Sequence, residues 1–143
     1  MTNVFTLTLV ESPFMGRHDD PMIKELLTQR NIAYARAAMR DCLLRGEAPY
    51  ASHLLYTQDG VLNDDIPNER NLGIDAGLAW GQMANQTAVY TDLGISSGMK
   101  YGIQRATTDQ RPIVTRSLIA WSNRDWRTKT SILTNLHALT QYQ

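Results

Sequence analysis

The chain has 143 residues, of which 43% are hydrophobic and 20% charged, a composition that fits one soluble globular domain and excludes a disordered chain. Lys plus Arg and Asp plus Glu each number 14, and the resulting zero net charge argues against nucleic acid or an anionic membrane as partner while favouring a homo-oligomer. The single cysteine, Cys42, excludes an internal disulfide and a cysteine-based zinc centre, and no leader pattern or ~18-residue apolar run is present, so a soluble cytoplasmic protein is expected.

Val4 to Glu11 is β-branched, aromatic and alternating, which predicts a first strand ending in the turn Ser12-Pro13-Phe14-Met15-Gly16. Pro21, behind Asp19 and Asp20 as caps, opens a helix-rich stretch from Met22 to Arg45. Its apolar face is Ile32, Ala35, Met39, Cys42 and Leu43; Asn31 is a possible interruption and Gly46 the stop. Ala48 to Ser52 reads as a second strand and Tyr56 to Ile66 as a loop around Asp59-Gly60. Pro67 starts a helix to about Met83, with Leu72, Ala76 and Ala79 or Trp80 facing inward. Thr87 to Thr91 is a third strand, followed by the small-residue turn Asp92 to Gly98 and a helix from about Ser97 to Thr108. Pro112 to Arg116 is a fourth strand, and Thr128 to Gln141 a final helix with Ile132, Leu133, Leu136 and Leu139 on one stripe.

This alternation predicts a Rossmann-like α/β fold: a three-layer α/β/α domain over residues 1–143, with a mainly parallel sheet of four or five strands and residues 118–143 as a C-terminal extension. Ligands of such sheets sit beyond the carboxyl ends of the strands. Three polar or small-residue segments fall there: Ser12-Pro13-Phe14, Ser52-His53 and Asp92 to Gly98.

These segments, in this order, resemble the nucleoside 2-deoxyribosyltransferase-like superfamily, which includes the transferases, the deoxynucleotide N-hydrolases and small relatives, many from phage genomes. The resemblance rests on Leu9-Val10-Glu11-Ser12-Pro13-Phe14, on Tyr50-Ala51-Ser52-His53, and on Gly98-Met99-Lys100-Tyr101-Gly102 followed by Ala106 and Arg111-Pro112-Ile113-Val114, over about residues 4 to 116. It implies a small-molecule nucleoside or nucleotide partner, no cofactor, and a dimer or higher assembly whose subunits help close one another's clefts. A viral source would place the protein in the host cytoplasm. The family's Gly-x-Glu-x-Gly nucleophile position matches Lys100 here, and no acid lies between Asp92 and Asp109. A carboxylate suits an oxocarbenium-like centre and an ammonium opposes it.

The candidate ligand-binding residues are Ser12, Pro13, Phe14, Arg17, His53, Tyr56, Ser96, Ser97, Gly98, Met99 and Lys100. Ser96-Ser97-Gly98 stands at a helix N-terminus, where orphan N–H groups favour an anion, although a serine there also serves as a plain cap. Phe14 and Tyr56 offer stacking faces; Tyr34 and Trp80 read better as core. Arg17, beside His18, pairs with a phosphate or lies in a solvated loop. His53 carries a proton near neutral pH or is a satisfied structural histidine; His18 and His137 have no partner spacing, so no metal site is expected. Asp92 contacts a ribose or water, or makes an Asx-turn. The acidic group Asp64, Asp65, Glu69 and Asp75 reads most simply as acids near a helix start. If a carboxylate replaces the missing Glu, Glu69 and Asp75 are the candidates, so the catalytic set is Glu69, Asp75 and Asp92. The expected function is an enzyme of the N-glycosidic bond, a hydrolase or transferase; the alternative is a non-catalytic protein that sequesters a nucleotide.

Overall fold

A computed structural model describes residues 4–141. Four strands, β1 (Thr6–Glu11), β2 (Glu47–Tyr50), β3 (Gln86–Tyr90) and β4 (Ile113–Arg116), form one all-parallel sheet in the order β2-β1-β3-β4. The helices are α1 (Pro21–Leu44), α2 (Ser52–Tyr56), α3 (Pro67–Gly81), α4 (Ser97–Thr108) and α5 (Lys129–Thr140), with a 3-10 turn at Ile119–Trp121. From β1 the chain steps one way to β2, and from β3 the other way to β4. Right-handed crossovers in opposite directions place their helices on opposite faces. Accordingly α1 packs with α5 against one face, and α4 covers β1, β3 and β4 on the other. No helix among the described residues is long and apolar enough to cross a membrane.

Alternation along β1 sorts its side chains between these layers. Val10 joins Tyr34, Ala38 and Cys42 of α1, Ala88 and Tyr90 of β3 and Trp121 in the main core, against which Leu136 and Leu139 of α5 pack. Leu9 and Glu11 point the other way, toward glycines of α3 and α4.

Several boundaries differ from the sequence expectation. β1 starts at Thr6 rather than Val4, and β2 lies one to two residues earlier than Ala48 to Ser52. β2 includes Pro49, tolerated because β2 is an edge strand. Ser52 to Tyr56 is helical, not the end of a strand running into a loop. Asn31 does not interrupt α1: it is buried and donates from Nδ2 to the Phe14 carbonyl at 2.8 Å, pinning the turn after β1 to the helix. Asp20 alone caps α1, accepting from Met22 N–H. Gly46 ends the following turn at φ +82°.

The inward face of α3 is also corrected. Leu72 and Trp80 are 59% and 58% exposed, and Ala79 is exposed with them. Gly77, Leu78 and Gly81 are buried instead. A Cβ on Gly77 would stand 2.6 Å from the Ser52 side chain, and one on Gly81 2.9 Å from Leu9 Cδ2. The helix approaches α2 and β1 through its glycines, with Leu78 beside them, while Leu72 and Trp80 turn outward.

Candidate functional site

The strand order changes direction between β1 and β3, and crevices of parallel sheets open at such points, beyond the strand carboxyl ends. A cavity of about 110 Å³ lies there. Glu11, Ser12, Phe14 and Arg17 line it from β1 and the turn after it, and Ser52, His53 and Tyr56 from α2. Asp64, Glu69 and Arg70 come from the α2–α3 loop and α3, and Ser96, Gly98 and Met99 from the start of α4. A broader groove of about 890 Å³ along α1 and the 57–65 loop shares Phe14, Leu62, Asp64 and Glu69 as walls. Pockets for drug-sized ligands typically hold about 300–1,000 Å³, so an occupant of nucleotide size must extend into the groove.

Local structure fixes each wall. Ser12 is buried, and its hydroxyl lies 3.0 Å from His53 Nε2. Burial lowers the His53 pKa to about 4, so the ring is neutral at pH 7 and holds the Ser12 hydroxyl in place. Phe14 meets the same imidazole edge-on, with ring centroids 6.0 Å apart. The Tyr56 hydroxyl is 2.6 Å from that of Tyr50, and Glu69 accepts from Asn63 N–H, which ties the loop to the first turn of α3. Ser96 caps α4 by accepting from Met99 N–H at 3.2 Å. Two cations stand around the cavity: Arg17, whose Nη2 reaches toward Ser97 Oγ at 3.5 Å, and Arg70, 3.8 Å from Asp64. Burial raises the Asp64 pKa and the charge of Asp65 pushes the same way, against Arg70 and Arg17.

The sequence candidates therefore divide. Ser12, Phe14, Arg17, His53, Tyr56, Glu69, Ser96, Gly98 and Met99 line one cavity. Pro13 is buried behind it, and Ser97 is exposed at its edge as the acceptor for Arg17. Lys100 and Asp75 lie on exposed helix surface and do not line it. Asp92 is elsewhere too. Its carboxylate accepts from the Tyr34 hydroxyl, Leu118 N–H, Ser117 and Ser122. Burial alone would raise its pKa, but these donors outweigh burial and lower it. With both oxygens engaged, Asp92 is a structural hub joining α1, β3 and the C-terminal segment.

Sequence reasoning passed over Glu11 and Arg70 as site residues, and read Asp64 only as an acid near a helix start. Glu11 ends β1 with its carboxyl packed on Gly102 of α4, where any Cβ would collide with both carboxyl oxygens. Burial raises its pKa to about 8, only partly offset by the charge of Arg111. The available signal was a lone acid closing an otherwise uncharged strand at its carboxyl end. Among the described residues, no three His, Cys, Asp or Glu side chains are grouped to hold a metal ion.

Fold and cavity define a class: a parallel α/β protein with a crevice at its strand-order reversal, walled by acids, a serine–histidine pair and two arginines. Compared with known families, residues 6–116 match a domain of unknown function, DUF7768, and the chain belongs to that family. No characterised protein and no solved structure matches it.

Proposed function

We propose that the protein acts on the N-glycosidic bond of a nucleoside or nucleotide, as a hydrolase or a deoxyribosyltransferase. One observation carries this reading: the tip of β1 and the Ser96–Gly98 bend, the segments that resemble the deoxyribosyltransferase-like superfamily, line a single cavity with His53 of α2. Glycosidic chemistry needs carboxyl groups around the sugar, and Glu11, Asp64 and Glu69 supply them here. Lys100 lies outside the cavity, so its ammonium does not oppose a positive anomeric centre there. Arg17 and Arg70 suit an anionic group on the substrate. A homo-oligomer belongs to the same reading, and sedimentation of the purified protein tests it.

The experiment is incubation with a panel of nucleosides and deoxynucleoside monophosphates, followed by chromatography for free base. Release of base from one of them, at a rate set by the protein concentration, is the expected result. Thermal stabilisation by a nucleotide without base release would replace catalysis by capture. At a hundredfold excess over Kd such binding stabilises the fold by about 2.7 kcal/mol. Neither release nor stabilisation would reject the nucleotide reading.

A further inference from the structure

One carboxyl in the cavity has no partner. Glu69 accepts from a backbone N–H and Asp64 faces Arg70. Among the described residues nothing donates a hydrogen bond to the carboxyl of Glu11, which β1 delivers to the cavity wall and Gly102 accommodates from the opposite layer. A desolvated carboxylate without donors is costly, so the group favours its neutral form. A neutral carboxylic acid then carries an O–H that needs an acceptor. Among the described residues the Glu11 carboxyl makes no hydrogen bond, and the cavity is where an occupant brings an acceptor.

Resting on the N-glycosidic reading, we propose that Glu11 is the proton donor to the departing base. Its acid O–H hydrogen-bonds a ring nitrogen or exocyclic oxygen of the base. As the bond from C1′ to nitrogen breaks, the bonding pair stays on the base and the Glu11 proton goes to the base. Water adds its oxygen to C1′ and gives its proton to Glu69 or Asp64, which releases it to solvent while Glu11 takes a proton back from solvent. The sum is N-glycoside plus water giving free base and a sugar hydroxyl.

The ionisable groups around Glu11 are Arg111 ahead of β4, His53 and Tyr56 of α2, Tyr101 of α4, and Arg17, Asp64, Glu69 and Arg70 of the cavity wall. Arg111 favours the ionised form and burial outweighs it, leaving a pKa of about 8 that keeps the acid protonated at neutral pH.

The test uses the full chain, 2′-deoxyguanosine 5′-monophosphate and its 7-methyl analogue, whose base is already cationic and leaves without a proton. Glu11→Gln keeps the shape and removes the acid. For the unmethylated nucleotide, kcat is expected to fall by about 100-fold or more, with little change in KM. The 7-methyl analogue should be cleaved at close to the wild-type rate. Wild-type turnover of any deoxynucleotide it cleaves should decline above pH about 8, and the variant should lack that limb. Glu11→Asp, which keeps an acid one methylene back, should retain the limb at reduced kcat, and a melting curve confirms that each variant is folded. Unchanged turnover by a folded Glu11→Gln variant overturns the proposal. So does equal loss with both substrates, which would mark Glu11 as a nucleophile or a packing residue. A wild type that releases no base overturns the N-glycosidic reading, and the role of Glu11 falls with it; an active wild type with an equally active variant overturns the role alone.

Discussion

Replacing Glu11 by Gln should change how stability depends on pH. The unfolded carboxyl titrates at its ordinary value of 4.5 and the folded one at about 8. Below pH 4.5 both states are protonated and ionisation costs the fold nothing. As pH rises from there, the unfolded chain loses its proton while the folded chain keeps it, and stability is lost until the folded group ionises near pH 8. Above that the loss is constant. At about 1.36 kcal/mol per pH unit the gap amounts to about 5 kcal/mol if the whole shift is realised. Glutamine fills the same space without a charge. The variant should therefore match wild type near pH 4.5, gain on it steadily through neutrality, and lead by as much as about 5 kcal/mol at pH 9. Urea titrations at pH 5, 7 and 9, analysed at constant m-value, measure the difference. A difference that stays flat across that range, or a variant less stable than wild type at pH 9, would refute the claim that this carboxyl is neutral in the native protein.

Three further outcomes follow from the same geometry. Gly102→Ala should destabilise by about 1–3 kcal/mol, because its Cβ enters the space of the Glu11 carboxyl, and the loss should shrink when Glu11→Ala is added; a double-mutant cycle by urea unfolding reads the coupling. Asp92→Asn should cost about 2–4 kcal/mol and raise amide exchange first in residues 117–122, since an amide cannot accept at both oxygens as the carboxylate does. Arg17→Ala should weaken nucleotide stabilisation in a thermal-shift titration, whereas Lys100→Ala should leave it unchanged, because only Arg17 lines the cavity.

The succession of strands and helices and the two bends that line the cavity were legible because strands and small-residue turns write period-two patterns and composition breaks into the chain, whereas the order of strands across the sheet was not. α4 was legible to the residue, since Ser96 caps it and Met99, Gly102 and Ala106 recur on its buried face. The face of α3 was not. Apolar periodicity marks residues that fill space, whereas α3 packs through Gly77 and Gly81, which leave space. Asp92 looked functional because it stands at a strand end beside glycine; its partners Tyr34, Ser117 and Ser122 are remote in sequence or in a segment that carried no expectation. Lys100 was assigned to the site by the resemblance, as the residue at the nucleophile position of the Gly-x-Glu-x-Gly motif, and only the turn of the helix shows it on the outer side. Glu11 was quoted as part of the strand tip but weighed as strand, because nothing local announces that its neighbours will be a glycine and no donors.

The tie between Asp92 and Ser117, Leu118 and Ser122 bears on where this fold stops. The family match ends at residue 116, yet Trp121 meets Tyr34 of α1 edge-on and Ile132 of α5 is wholly enclosed. A version of the protein trimmed to the shared region would strip the roof from the α1 side and remove three of the four donors to one carboxylate, leaving only Tyr34. Comparisons among relatives should therefore include whatever each of them lays over that side, since the crevice on the opposite layer depends on a sheet braced from behind.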